Sequence, residues 1–305
     1  MVDKVEKIWM NGELVPWDSA NIHVLTHTLH YGLGVFEGIR CYKLDDGRSA
    51  IFRLEDHIRR MYDSAKIMRL DMPFDAATVV EACAETVRAN GLDECYIRPI
   101  AFMGSGAMGV GARPPTTISV IAWRWGAYLG DEGLQKGIRA KISSFTRVGI
   151  NSLMAKGKVC GHYVNSILAN REAQESGYDE AILLDPQGYV SEGSGENLFV
   201  IRDGVVYTPG LGGSLLGGIT RATVMRIIKE MGVPLVERNM ARDELYIADE
   251  IFAVGTAAEV MPIRQVDDRD IGTGVRGPIT AEIQKRYFDV VRGRTVIDPA
   301  WLHIV

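Results

Sequence analysis

Cysteine is scarce in this chain. The 305 residues hold four, at positions 41, 83, 95 and 160, and none of their spacings is that of a metal-ligand pair. Neither a disulfide framework nor a structural metal site organises the fold, and free thiols in a reducing, cytoplasmic setting are expected. Long hydrophobic runs are also missing. No apolar stretch approaches the roughly 18 residues of a membrane-spanning helix, so no membrane partner is expected. The opening residues, Met1-Val2-Asp3-Lys4-Val5-Glu6-Lys7, carry no apolar signal core. Basic excess is absent too: 34 Lys and Arg against 39 Asp and Glu leave a net charge of -5. That balance argues against nucleic acid or an anionic membrane as the main partner. There is no internal repeat, low-complexity tract or charge run. What remains is ordinary for a soluble globular protein, with 47% hydrophobic and 24% charged residues. The length suits about two domains.

Read in order, Asn11-Gly12 between Ile8-Trp9-Met10 and Glu13-Leu14-Val15 is a two-residue hairpin signal. A Gly- and aromatic-rich run follows at 28–42, with His30 expected to be packed and hydrogen-bonded. Ile58, Met61, Ala65 and Met68 recur at helical spacing between Leu54 and Leu70, which places Arg60 near the buried face and Arg59 away from it. Asp75 suits the cap of a second helix that stops near Gly91. Strands are expected at Tyr96–Phe102 and Thr116–Trp123. The run Trp125-Gly126-Ala127-Tyr128-Leu129-Gly130 then breaks the pattern. The domains are drawn as 1–125, a linker at 126–137, and 138–305. In the second domain a helix spans 162–176, with Val164, Ile167 and Leu168 on one face. Hairpins turn at Asp185-Pro186-Gln187 and at Asp203-Gly204, and Pro278–Val291 is a closing helix.

Three pieces between 155 and 221 carry chemistry. Lys158, the better candidate of the pair Lys156 and Lys158, precedes the small apolar run Val159-Cys160-Gly161. A lysine in such surroundings can act as a Schiff-base nucleophile. Glu192, with Glu196 as its rival, lies in a Gly/Ser-rich turn and suits a pyridine nitrogen that must stay protonated. Gly218-Ile219-Thr220 opens an amphipathic helix with Val224, Ile227, Ile228 and Met231 on one face. Thr220 is read as the N-cap, and the helix start is an anion site that its glycines open to a phosphate. A similar turn, Gly255-Thr256-Ala257-Ala258, follows the strand at 250–254 and can present backbone N–H groups to an anion. Taken singly, these are also what a solvated lysine, a turn carboxylate and an ordinary cap look like.

Together they resemble one family. Glu192, Ser194, Asn197-Leu198-Phe199, Thr208 and Leu216-x-Gly218-Ile219-x-Arg221 are similar to the signature of the class IV, or fold type IV, pyridoxal-phosphate aminotransferases. Within it the chain looks like the branched-chain amino acid aminotransferases over roughly residues 7 to 290. The likeness includes His30-Tyr31-Gly32, Val35-Phe36-Glu37-Gly38-Ile39-Arg40, Tyr96-Ile97-Arg98-Pro99 and Gly255-Thr256-Ala257-Ala258-Glu259. One departure is Cys160-Gly161-His162, where members often have Gly-Gly-Asn or Gly-Gly-Gln. Cys160 is read as a small core residue.

The resemblance implies an α/β (α+β) fold of two α/β domains, the N-terminal one smaller, with pyridoxal 5'-phosphate in the cleft between them. It implies a homo-oligomer, at least a dimer, some members being hexamers. Carried over by position, Lys158 is the Schiff-base lysine, Tyr163 meets the ring oxygen and Glu192 the ring nitrogen. Arg60, Ile219, Thr220 and Thr256 hold the phosphate, with Leu216, Gly218 and Gly255 lining it. Tyr96 and the Thr256-Ala257 backbone take the substrate α-carboxylate, while Phe36, Gly38, Tyr163 and Trp125 wall the side-chain pocket. Arg98, Tyr128 and the partner subunit's Tyr31 accept the distal carboxylate of glutamate, and Val110 also comes from the partner subunit. Arg98 is expected near water or partnered when an aliphatic substrate binds, since a bare cation deep in the pocket is costly. The implied reaction is reversible ping-pong transamination between leucine, isoleucine or valine and 2-oxoglutarate. Alternatives on the same fold are a D-amino acid or (R)-amine transaminase and an aminodeoxychorismate lyase. The rival of a different class is a binding protein without turnover.

Overall fold

A computed structural model describes residues 2–126 and 130–305. The chain divides into two compact units. One holds Met1–Trp125, Gly157–Gly161 and Val291–Val305, the other Gly126–Lys156 and His162–Val290. The sequence pattern suggests a second domain unbroken from 138 to 305. Two segments of that stretch belong instead with the first unit, because their backbone groups pair there. Phe36 N–H donates to the Lys158 carbonyl at 3.2 Å, Gly161 N–H to the Gly32 carbonyl at 3.0 Å, and Leu302–Ile304 is a strand antiparallel to Ser49–Phe52. Ladder pairing between residues far apart in the chain leaves no local pattern to read.

In the first unit the described residues form an antiparallel sheet. Its strands run across in the order Leu302–Ile304, Ser49–Phe52, Ile39–Lys43, Cys95–Met103, Thr116–Trp123, Lys7–Met10 and Glu13–Pro16, with Gly34–Phe36 paired onto Cys95–Met103. The hairpin at Asn11-Gly12 is present, both residues at positive φ (50° and 102°) as the tight turn demands. Helices Leu54–Ile67 and Ala76–Ala89 pack their buried faces, Ile58, Met61 and Ala65 on one and Val79, Cys83 and Val87 on the other, into one core with Val35, Ile39 and Ile97. Asp75 caps the second of them, accepting from Thr78 N–H at 2.8 Å.

The second unit holds a mixed sheet in the order Val190–Gly193, Glu180–Leu184, Ile138–Ile142, Glu259–Val266, Glu250–Gly255, Asn197–Arg202, Val205–Thr208 and Leu235–Glu237. Ile138–Ile142 runs parallel to both its neighbours, and the hairpin at Asp203-Gly204 is as read. Three expectations are corrected. The stretch taken as linker contains the helix Gly130–Lys136, which is short and polar and so shows no apolar period. In helix Tyr163–Glu175 the apolar positions Val164, Ile167 and Leu168 are exposed, while Ser166, Ala169 and Ala173 are buried, because close packing on strand Glu180–Leu184 selects small side chains there. The third concerns the cap of helix Ile219–Glu230. It is Gly218, in extended conformation, and Thr220 lies inside the first turn. Only glycine fits the cap, since a Cβ there would stand 2.0 Å from Asn197 Oδ1.

Candidate active site

In the first unit the residues of interest converge on Phe36-Glu37-Gly38. Lys158 lies beside this segment. Its carbonyl accepts from Phe36 N–H, its N–H donates to Ser64 Oγ at 3.0 Å, and its Nζ stands 5.0 Å from the centre of the Phe36 ring. An isolated antiparallel bridge joins Val35 and Val159 on either side. The backbone of Lys158 is therefore held in place on both sides. Ser64 in turn donates to the Arg60 carbonyl at 2.8 Å, one helical turn back. Arg60 is part-buried and Arg59 exposed, as the helical spacing requires. Arg60 grips Glu37 with a two-pronged contact, Nε to Oε1 at 2.7 Å and Nη2 to Oε2 at 2.8 Å. His57 Nδ1 donates to the same Oε2 at 2.7 Å.

Burial is the largest single influence on the Glu37 carboxyl and pushes it up. Arg60 and His57 together outweigh it and hold the group well below the usual carboxylate range. For His57 burial wins, lowering the imidazole despite the adjacent Glu37 carboxylate, while Arg60 and Lys158 push the same way as burial. The consequence for stability has a definite sign. Above pH 6.5, the ordinary imidazole value, His57 is neutral folded or unfolded and costs nothing. As pH falls below it, the unfolded chain takes up a proton that the folded one resists, and stability is lost. Glu37, depressed when folded, adds loss on the same acid side, below its ordinary 4.5. Replacing His57 with Gln should therefore flatten the curve of melting temperature against pH just below 6.5 and leave the steeper acid limb. A wild-type curve that is already flat between 6.5 and 5 would contradict the assignment.

The aromatic side chains form a wall in the same unit. Tyr96 lies 4.5 Å from Trp125 and 5.1 Å from Trp123, centre to centre, and Trp125 is held by Arg40, whose Nη2 donates to its carbonyl at 3.0 Å. Arg98 stands over the Phe36 ring at 4.8 Å and the Tyr96 ring at 5.2 Å, and Nη2 donates to the Tyr96 hydroxyl at 3.1 Å. Arg98 Nη2 is thus partnered, while its buried Nε has no hydrogen-bond partner among the described residues. The Tyr96 hydroxyl presses against Gly38, where a Cβ would be 1.8 Å away. Tyr31 and Val110 are exposed, at 45% and 92%. His27 ties their two segments, its Nε2 lying 3.0 Å from the Gly109 carbonyl. Tyr128 lies outside the described residues. His30 is hydrogen-bonded, 2.9 Å from the Val24 carbonyl, but exposed, its ring 6.3 Å from that of Tyr31.

In the second unit Glu192 sits on strand Val190–Gly193, not in a turn, and is buried. The register slips between Val190 and Glu192, a bulge of the kind that re-aims one side chain. Its carboxylate accepts from Arg147 Nε at 2.6 Å, from Leu216 N–H at 3.1 Å and from Asn197 Nδ2 at 3.4 Å. Arg147 is itself buried and also donates to Asn165 Oδ1 at 3.2 Å. The rival Glu196 accepts from its neighbour Gly195 N–H at 3.0 Å. Asn197 Nδ2 donates to the Leu216 carbonyl at 3.0 Å, fixing the loop that leads to Gly218. Ile219 and Thr220 open their helix behind a cap without a side chain, and both are buried. Gly255 ends strand Glu250–Gly255, and Thr256, Ala257 and Ala258 form the turn to strand Glu259–Val266. Tyr163 starts its helix. Lys156 is used differently from Lys158. Its ammonium donates to the Gly213 and Leu215 carbonyls at 3.0 and 2.8 Å.

The first unit offers an amine at Lys158 and a guanidinium at Arg60, chemistry that suits an aldehyde and a phosphate; the second offers a buried carboxylate at Glu192, which suits a ring nitrogen, and a glycine-capped helix start, which suits an anion. Sequence reasoning misses the residues that hold these groups. Glu37 enters it only as part of a motif, and Arg147 and Asn165 are not singled out. For His57 and Ser64 a signal exists: with Arg60 they share the helical spacing of 57, 60 and 64 on the face that buries Met61.

A profile of the family described as amino-transferase class IV matches residues 34–266. A branched-chain-amino-acid aminotransferase of Pseudomonas aeruginosa is 52% identical over 306 aligned residues, covering 100% of this chain and 99% of that one. The crystal structure of the branched-chain amino acid aminotransferase of Escherichia coli superposes with a TM-score of 0.96 at 44% identity, covering 98% of this chain and 99% of that one. The enzyme of the same name from Thermobaculum terrenum, in its PLP-form, gives 0.92 at 35% identity, with 98% of each chain covered. The chain belongs to the class IV aminotransferases, among the branched-chain-amino-acid aminotransferases.

Proposed function

We propose that this enzyme exchanges an amino group between leucine, isoleucine or valine and 2-oxoglutarate, with pyridoxal 5'-phosphate as cofactor, in a ping-pong sequence. The observation that carries the substrate reading is the wall of Phe36, Tyr96 and Trp125 with the Arg98 guanidinium lying over two of its rings. Apolar faces receive an aliphatic side chain, and a cation already partnered by rings and a hydroxyl is spared isolation when no carboxylate arrives.

Arg60, Ile219, Thr220 and Thr256 would hold the cofactor phosphate, Glu192 the ring nitrogen and Tyr163 the ring oxygen. Leu216, Gly218 and Gly255 would shape the backbone around them. Bound, the cofactor supplies an electron sink for the pair left at the substrate Cα when its proton departs. Lys158 would take that proton from Cα and deliver it to the cofactor's C4′ carbon, on the far side of the amino nitrogen, serving as base and then acid. Tyr96 with the Thr256-Ala257 backbone orients the α-carboxylate. Glu192, paired with Arg147, would favour positive charge at the ring nitrogen. The first product, a 2-oxo acid, leaves before 2-oxoglutarate enters. The exposed Tyr31 and Val110 support a homo-oligomer, at least a dimer, in which each subunit lends them to its partner. The net charge and free thiols support a cytoplasmic place for the reaction, and no described helix is long and apolar enough to cross a membrane.

The test is a half-reaction followed in the visible absorption of the bound cofactor. Fast loss of the band with both L-leucine and L-glutamate is expected. Response only to D-alanine or (R)-1-phenylethylamine would move the assignment to the D-amino acid or amine transaminases, and no absorbing cofactor at all would overturn it. Gly38→Ala should lower kcat/KM on the order of 100-fold for both amino acids, because the buried Tyr96 ring must move from a Cβ placed 1.8 Å from its hydroxyl. Unchanged kinetics in that variant would remove Tyr96 from substrate orientation.

A further inference from the structure

We infer that Glu37 is a positioning residue for the cofactor phosphate: its carboxylate fixes the guanidinium plane of Arg60, and His57 fixes the carboxylate. The inference rests on the reading that Arg60 holds that phosphate. Glu37 is fully buried, and its two oxygens meet Nε and Nη2 of Arg60 as a matched fork. His57, also buried, adds a third bond to Oε2, and Gly38 N–H a fourth at 3.3 Å. The remaining freedom of Arg60 is removed at its backbone, where its carbonyl accepts from Ser64 Oγ and the same hydroxyl accepts from Lys158 N–H. A guanidinium carries five donors in one plane, so a carboxylate can set that plane and leave the group able to act on a second anion. Burying a carboxylate is costly and seldom repaid in stability alone. A lone carboxylate beside an anion site would also repel the anion. In this cluster both oxygens are matched by donors, and the benefit is orientation before binding, which lowers the ordering cost of capture.

Charge and orientation give opposite signs, which makes the test sharp. Glu37→Gln keeps the shape, removes the negative charge and breaks the matched fork. If charge decides, pyridoxal 5'-phosphate binds more tightly. If orientation decides, it binds less tightly. The dissociation constants of pyridoxal 5'-phosphate and of pyridoxal, which lacks the phosphate, are measured on the full-length protein by quenching of tryptophan fluorescence. The proteins compared are the wild type, Glu37→Gln, Arg60→Ala and the double variant. Glu37→Gln should weaken pyridoxal 5'-phosphate about tenfold and leave pyridoxal unchanged, and should add nothing once Arg60 is gone. Unchanged binding of pyridoxal 5'-phosphate by Arg60→Ala would overturn the parent reading and this one together. A normal loss in Arg60→Ala overturns the role of Glu37 alone if Glu37→Gln binds equally or more tightly, weakens both ligands alike, or adds fully to Arg60→Ala. Should Glu37→Gln fail to fold, His57→Leu decides. It removes the Nδ1 donor and spares the fork, and it should cost a smaller factor confined to the phosphorylated ligand. No such selective loss would overturn the proposal.

Discussion

A Lys158→Ala protein should fold, melt close to the wild-type temperature and lose up to about four orders of magnitude in kcat, the upper range for removal of a general acid–base group. The two halves of that expectation come from different atoms. Residue 158 is tied into the first unit through its backbone by the Phe36 N–H to its carbonyl, its own N–H to Ser64, and the bridge between Val35 and Val159. Alanine keeps all of these. The neighbouring lysine provides the control. Lys156 is anchored by its side chain to the Gly213 and Leu215 carbonyls, on the loop that leads to Leu216 and Gly218. Lys156→Ala should cost about 1 kcal/mol of stability, the ordinary value of exposed or half-buried hydrogen bonds, with a modest change in rate. Turnover and thermal melting of both variants separate the roles. A Lys158→Ala protein with near-normal turnover would end the assignment, and an exchange of the two phenotypes would transfer it to Lys156.

The contrast between these lysines marks how far a sequence can be read. Elements set by neighbours in the chain were legible: the Asn-Gly and Asp-Gly hairpins, the helix over 54–67 and the Asp75 cap. The helix at 163–175 was found, but its buried face was not, because Ala and Ser make that contact and leave the apolar residues exposed. In the candidate site the signature singles out the groups proposed to meet the cofactor, while the groups that hold them stay hidden. Glu37 lies 23 residues from Arg60, and Arg147 lies 45 from Glu192. Such pairs are made by the folding that brings them together, and the supporting partner, Glu37 or Arg147, bears no local mark. The helix cap at Gly218 shows the same limit on a smaller scale. Thr220 has the right chemistry for a cap, yet the close approach of Asn197 reserves that place for glycine.

The largest effect on stability is expected from Arg147. Its Nε lies 2.6 Å from Glu192 Oε1, and less than a tenth of either side chain is exposed. Arg147→Met removes this cation and leaves the buried carboxylate to the amide donors Leu216 N–H and Asn197 Nδ2. Breaking a buried pair from one side typically costs about 3–5 kcal/mol. Replacing both members with apolar residues of similar size is often nearly neutral, because neither charge then remains to be desolvated. The double variant Arg147→Met, Glu192→Met should therefore recover most of the stability lost by Arg147→Met. Its activity should not return, since the ring nitrogen would have no carboxylate. Stability and rate must part company in this cycle, measured as chemical denaturation midpoints and turnover on the same preparations. If Arg147→Met is no less stable than wild type, the pair is not the buried charge contact described. If the double variant regains activity with its stability, Glu192 has no part in the chemistry, and the carboxylate that the reaction needs must be sought elsewhere.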